Sequence, residues 1–468
     1  MNGSPFDALR GVADSGVVDA VAELVASAND SELSRLDPLR FAAAHGLHED
    51  RVLDVFVHAA KLSLFEMSWN LLCPGCGGVL DVGADLKQMK EHYNCSLCAA
   101  GYEPDIDSMI EVSFTVSPRL RRIAAHDPDS MSPLHYYRDL YFSNALTLPQ
   151  RENDYASLWN DVTIEAEEVA PGEKVVFSVQ LPPEFVILFE PVTHSAKFLD
   201  VKGEPTRERR DITVTYTESA VPTATEVLQP GPLRLTLVNR TTRRVLPALF
   251  RAGERFHALF ENRQPFLTAK RIFTNQTFRD LYRAESLNVD QRLKIASMTV
   301  LFTDLKGSTE LYERVGDLVA YDLVREHFKI LGDVVRRESG AVVKTIGDAV
   351  MATFSGADQG FAAAVGIRKE METLNHSHRH EDLLVKIGLH EGPCLAVISN
   401  ERLDYFGQTV NIAARVQGLA TSRSIFATEP VMEHAGVKAM LARGGMTASP
   451  YRTMLKGIAD ALTVYEIE

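Results

Sequence analysis

Residues 298–309 read MTVLFTDLKGST. Met298–Thr303 is an apolar, β-branched and aromatic run ahead of a charged turn, which predicts a buried strand. Asp304 stands at its end. Leu305-Lys306-Gly307 then leads into a helix, with Ser308 or Thr309 available as N-cap. A carboxylate at a strand end, beside a glycine turn and a helix N-terminus, suits a cation bridged to a polyphosphate. The order Lys306-Gly307-Ser308 is not the Gly-Lys-Ser/Thr of a P-loop, and the upstream glycine is missing, which excludes a Walker-type ATPase.

Two further stretches toward the C-terminus carry chemistry. Ala341–Ile346 (AVVKTI), Gly347-Asp348 and Ala349–Phe354 (AVMATF) predict strand, turn and strand, with Asp348 on the hairpin. Turn aspartates are common for conformational reasons alone. Together with Asp304, however, Asp348 supplies the minimal equipment for two divalent cations. Lys344 lies four residues before Asp348, about 13 Å along extended chain, so the two groups serve separate tasks. Asp404-Tyr-Phe-Gly407-Gln-Thr-Val-Asn411-Ile-Ala-Ala-Arg415 reads as a turn entering a helix, with Asn411 and Arg415 neighbours on one face. An amide beside a guanidinium suits a ribose and a phosphate.

Taken together, Phe302-Thr-Asp304-Leu-Lys-Gly-Ser-Thr309, Lys344-x3-Asp348, Asp404-x6-Asn411-x3-Arg415 and a terminal Leu455-Lys456-Gly457 strongly resemble the class III nucleotidyl cyclase catalytic domain. The resemblance covers residues 297–468. It implies an α+β fold with a ferredoxin-like βαββαβ core, and a homodimer docked head to tail through this domain. By the same resemblance, Asp304 and Asp348 of one protomer would hold two Mg²⁺ or Mn²⁺ ions over the triphosphate. Lys344 and Asp404 of the other would contact adenine, Asn411 would orient the ribose, Arg415 would stabilise charge on the reacting phosphate, and Lys456 would bind the distal phosphates. Adenine offers an amino donor and a ring acceptor, which aspartate and lysine complement. Cyclases selective for guanine resemble one another in carrying Glu and Cys at these two places, so the expected substrate is ATP and the product cyclic AMP. Gln408 and Thr409 depart from the family's usual acidic and small residues, at positions that are not ligands. His390 reads as a structural strand residue, which leaves the general base open.

The N-terminal half has a different character. Val17–Ala28, Leu39–His45 behind Asp37-Pro38, and Glu49–Phe65 predict helices, so 1–70 has a helix-turn-helix outline. Its last helix sets Arg51 and Lys61 beside Glu49, Asp50 and Asp54, too acidic for reading DNA. In 71–150, Cys73-Pro-Gly-Cys76 and Cys95-Ser-Leu-Cys98 have the spacing of a zinc ribbon that holds one structural Zn²⁺ through four thiolates. The fifth cysteine, Cys394, lies in an apolar stretch and reads as packing. Residues 160–265, with KVVFSVQL, DITVTY and LRLTLV between Pro/Gly turns, predict a small antiparallel β-sandwich, and 266–295 a connecting helix. More weakly, this half resembles the uncharacterised region ahead of some bacterial cyclase domains, and a regulatory role is expected of it.

The 468 residues carry 49 Lys plus Arg against 63 Asp plus Glu, a formal charge of −14, which argues against nucleic acid and anionic lipid as partners. No apolar run approaches the roughly 20 residues that span a bilayer, and the N-terminus lacks the basic-then-apolar order of a signal peptide. The expectation is a cytoplasmic adenylate cyclase. Its rivals are a guanylate cyclase and a zinc-ribbon DNA-binding regulator with a nucleotide-binding domain.

Overall fold

The computed structural model describes residues 4–149, 151–218, 225–282, 292–378, 383–420 and 424–468, the side chains of 308, 309, 377 and 378 excepted. The chain divides into two compact units: one holds residues 1–84, 88–104 and 108–267, the other 85–87, 105–107 and 268–468.

In the first unit, after a single helical turn at Asp7–Arg10, the longer helices Ser15–Ser27, Pro38–His45 and Glu49–Lys61 precede the strands. Asp37 caps the second of these through the amides of Leu39 and Arg40, as its place before Pro38 suggests. The third ends at Lys61 rather than Phe65, because Ser63 turns the chain at positive φ and Phe65–Leu72 enters a sheet with Val79–Gly83 and Ile110–Val116. The β-rich part is two sheets. One has five strands; the other has three, Arg210–Tyr216, Gly231–Asn239 and Lys174–Leu181. Each sheet contains one parallel pair, so the sandwich is mixed rather than antiparallel. The segments expected as separate domains share one aromatic core, in which Tyr137, Phe142, Phe189, Phe250 and Phe256 pack with Cys73, Cys76 and Cys95.

In the second unit, 266–295 is not one connecting helix. Two short helices occur, α1 (Ala269–Phe273) and α2 (Gln276–Tyr282), and residues 283–291 lie outside the described residues. The break has a local cause: the Asn275 side chain accepts the Phe278 amide, an N-cap that starts a new helix. The elements that follow are β1 (Leu293–Lys306), α3 (Ser308–Val315), α4 (Asp317–Arg337), β2 (Ala341–Ile346), β3 (Ala349–Phe354), α5 (Ala357–His378), β4 (Leu384–Ser399), β5 (Arg402–Phe406) and α6 (Gln408–Leu419). Then come β6 (Ile425–Thr428), α7 (Glu429–Glu433), α8 (Ala435–Gly444), β7 (Ala448–Thr453) and β8 (Leu462–Ile467).

The eight strands form one sheet in the order β2-β3-β1-β4-β6-β8-β7, with β5 paired to β4. Its first four strands and their helices are a βαββαβ unit with ferredoxin-like order. The long helices α4 and α5 cover one face, where Leu331, Val334, Val335, Phe361, Ile367, Phe354 and Leu389 form the main core. Helix α6 packs with Phe426 and Val464 through Ile412 and Val416.

Candidate active site and metal centres

Asp304 is half-buried near the end of β1, opposite Lys386 of β4. The N-cap position of α3 is Gly307, at φ 73°, and not Ser308 or Thr309, whose side chains lie outside the described residues. Gly307 takes the left-handed turn that a side chain would resist. Asp348 occupies the β2–β3 turn, where the adjacent Gly347 also has positive φ. Asp304 is raised above the usual carboxylate range, first by burial and then by the like charge of Asp348. One oxygen of Asp348, Oδ2, is buried without a hydrogen-bond partner. An orphaned carboxylate oxygen and a like-charge neighbour fit a divalent cation, which would relieve both.

His327 of α4 is fully buried close by, and burial pushes its ring down to about 4, so it packs neutral at physiological pH. His390 on β4 is also buried and pushed down to about 4; its Nδ1 meets Thr428 Oγ1 at 2.7 Å, as a structural histidine should.

Lys344 and Asp404, 60 residues apart in sequence, meet with Nζ 2.6 Å from Oδ2. Asp404 belongs to strand β5, not to a turn, and is 8% exposed; Lys344 remains half-exposed, with its ammonium 5.7 Å from the Phe406 ring centroid. The ladder explains how Lys344 is aimed. Pairing between β2 and β3 slips between Val342 and Lys344, leaving Val343 as an extra residue.

Helix α6 carries Asn411 and Arg415, both exposed on one face. The helix lies so close to the sheet that the backbone of Gln417 stands where a β-carbon on Gly388 would be. Lys456, in the turn after β7, is exposed as well. The single chain thus brings Asp304 to Asp348 and Lys344 to Asp404, and leaves Asn411, Arg415 and Lys456 facing solvent. The sequence reading missed His327, and also Tyr405, which is buried beside Asp404; the aromatic pair Tyr405-Phe406 between Asp404 and Gly407 was the available signal.

The four cysteines converge. Their sulfur atoms all lie within 4.8 Å of one another, with Cys73–Cys98 and Cys76–Cys95 each at 3.7 Å. A tetrahedron of sulfurs about 2.3 Å from zinc has edges of about 3.8 Å, so the donor set fits Zn²⁺. A disulfide does not fit those separations.

Residues 2–280 match a family of unknown function (DUF5939), and residues 291–447 match the adenylate and guanylate cyclase catalytic domain. The chain is 25% identical over 186 residues to the adenylate cyclase of Anabaena cylindrica, covering 36% of each. To adenylate cyclase 2 of Rhizobium meliloti it is 34% identical over 131 residues, covering 25% of this chain and 36% of the relative. It therefore spans about a third of the length of these curated relatives. The crystal structure of the adenylyl cyclase CyaB from P. aeruginosa aligns at 21% identity with a TM-score of 0.33, over 38% of this chain and 96% of that one. The chain belongs to the DUF5939 family over residues 2–280 and carries, at 291–447, an adenylate and guanylate cyclase catalytic domain.

Proposed function

We propose that the second unit converts ATP to 3′,5′-cyclic AMP and pyrophosphate, at sites shared between two copies of the chain. The observation that carries the choice of base is the 2.6 Å contact between Lys344 and Asp404. A cation and a carboxylate held side by side present a donor and an acceptor to adenine's ring acceptor and amino group; guanine would set like against like at both. Asp304 and Asp348 would hold two divalent cations, Mg²⁺ or Mn²⁺, whose chemistry is to acidify the ribose hydroxyl and to neutralise the triphosphate. The 3′-oxygen gives up its proton and bonds to the α-phosphorus as the bond to the bridging oxygen breaks and pyrophosphate departs. Asn411 orients the ribose, Arg415 stabilises charge at the α-phosphate, and Lys456 binds the leaving end.

A homodimer is supported by what one chain leaves open. Asn411, Arg415 and Lys456 face solvent, and the apolar side chains Ile346 and Phe406 are each about half-exposed near the Lys344–Asp404 pair. A second copy would cover these and supply the other half of each site. Among the described residues no helix is long and apolar enough to cross a membrane; we assign the enzyme to the cytoplasm, where ATP is abundant. The first unit would regulate the second, with its Cys73, Cys76, Cys95 and Cys98 holding one structural Zn²⁺.

The test is to incubate the full chain with Mg²⁺ or Mn²⁺ and either ATP or GTP, and to quantify both cyclic nucleotides by mass spectrometry. Cyclic AMP lost in Asp304→Ala is the expected result. Cyclic GMP in excess would overturn the choice of base, and no product with either nucleotide would overturn the reaction.

A further inference from the structure

Lys344 and Asp404 sit on strands that are not neighbours in the sheet, yet helix α2 grips both strands next to them. Gln276, the first residue of α2, accepts the Val342 amide through Oε1 at 2.8 Å. Val342 is the residue at which the β2–β3 ladder slips, two before Lys344. One turn further along α2, Arg279 donates from Nη2 to the carbonyl of Leu403 at 2.6 Å, one residue before Asp404. The same guanidinium lies 5.7 Å from the ring centroid of Tyr405, which is 1% exposed, and the Tyr405 hydroxyl donates to the Phe273 carbonyl at the end of α1 at 3.3 Å. Asn275 holds the joint between the two helices through the Phe278 amide.

A bulge frees backbone groups from the ladder and re-aims the side chains that follow. Strand β2 is also an edge of the sheet, so amides that face away from β3 need partners outside the sheet, and Gln276 supplies one to Val342, next to the extra residue Val343. On β5, Arg279 makes the matching contact, a charge-assisted bond to a backbone carbonyl. Helix α2 is therefore a short bridge between two backbone points, 342 and 403, that fix where Lys344 and Asp404 stand.

Resting on the cyclase reading above, we propose that Gln276 and Arg279 are positioning residues that set the Lys344–Asp404 pair. Helix α2 thereby bears on discrimination between purine bases. Neither residue touches substrate; each acts through a backbone atom beside a residue that does. Changes at α2 should alter nucleotide preference and KM, and leave kcat near its original value for the nucleotide still accepted. A part needed only for stability would lower activity toward both nucleotides alike.

The experiment uses the full chain and the variants Gln276→Ala, Arg279→Ala and Arg279→Lys. Backbone hydrogen exchange without nucleotide is read at 341–346 and 402–406, and kcat and KM are measured for ATP and GTP. Expected are faster exchange at 341–346 in Gln276→Ala and at 402–406 in Arg279→Ala. The ratio of kcat/KM for ATP to that for GTP should fall about tenfold, mainly through KM, with partial recovery in Arg279→Lys. Unchanged exchange at both segments would overturn the clamp, whether or not the protein is active. Faster exchange with an unchanged ratio would overturn the positioning role. If the wild type makes no cyclic nucleotide, the cyclase reading falls, and the exchange data alone then decide whether α2 holds the two strands.

Discussion

Asp348 keeps one carboxylate oxygen buried and unpartnered, within reach of the Asp304 charge. Such an arrangement favours cation binding at the expense of the empty fold. Asp348→Asn should therefore raise the melting temperature in metal-free buffer while lowering cyclic nucleotide formation by at least about 100-fold. A lower melting temperature would show that the turn needs the carboxylate. His390 gives a pH prediction of definite sign. Burial lowers its folded value to about 4, against 6.5 unfolded, so the unfolded chain binds the proton first. Stability is full above about pH 6.5 and falls as pH drops toward 4, by up to on the order of 3 kcal/mol. Denaturant unfolding at pH 7, 5.5 and 4 should show this slope, and His390→Gln should make it shallower without abolishing it, because the buried His327 contributes with the same sign. Residues such as Asp304 and Asp348 were legible in the sequence because each stands at the end of an apolar run. Gln276 and Arg279 were not, because they work through backbone atoms 66 and 124 positions away and nothing local marks them.

Elements whose residue pattern depends only on burial were easy to read: Lys174–Leu181 alternates, and Met298–Thr303, apolar but for two threonines, is buried throughout. What the pattern does not encode is the partner. A strand paired in parallel at a sandwich edge has the same alternation as an antiparallel one, so the two parallel pairs were invisible. The break at Asn275 was missed because Thr-Asn does not interrupt helical periodicity until the asparagine side chain is seen capping. At this scale Gly388 matters most, since α6 rests directly on it. Gly388→Ala should push the helix away from β4, costing roughly 1–3 kcal/mol by denaturant titration and displacing Asn411 and Arg415 enough to depress activity. Unaltered kinetics would mean that α6 can slide without loss. The cysteine cluster should yield one zinc per chain by elemental analysis. Cys95→Ser or a strong chelator should lower the melting temperature of the first unit markedly, because the sulfurs sit inside its aromatic core. Full stability after chelation would reduce the cluster to four packed thiols.

Across the whole molecule, the division into two units does not follow the expected segment boundaries. Aromatic residues from 137 to 256 join the cysteines in one core, whereas α1 and α2 pack with the catalytic sheet although the DUF5939 match extends to residue 280. If active sites are shared between copies, two inactive variants should rescue one another. Mixing equal amounts of Asp348→Ala and Arg415→Ala should restore about a quarter of wild-type activity, since half the dimers are mixed and each has one intact site. No gain over the separate variants would argue against shared sites. Strand β2 lies at one edge of the eight-stranded sheet, and Gln276 occupies the Val342 amide there. Bare strand edges recruit other strands. A fragment cut at residue 291 would strip α2 from that edge and should self-associate during concentration, whereas one cut at residue 268 should stay dispersed by light scattering. Poor solubility of the shorter fragment would then report an uncovered β edge, and its low yield of product would say nothing about inhibition or activation by the rest of the chain.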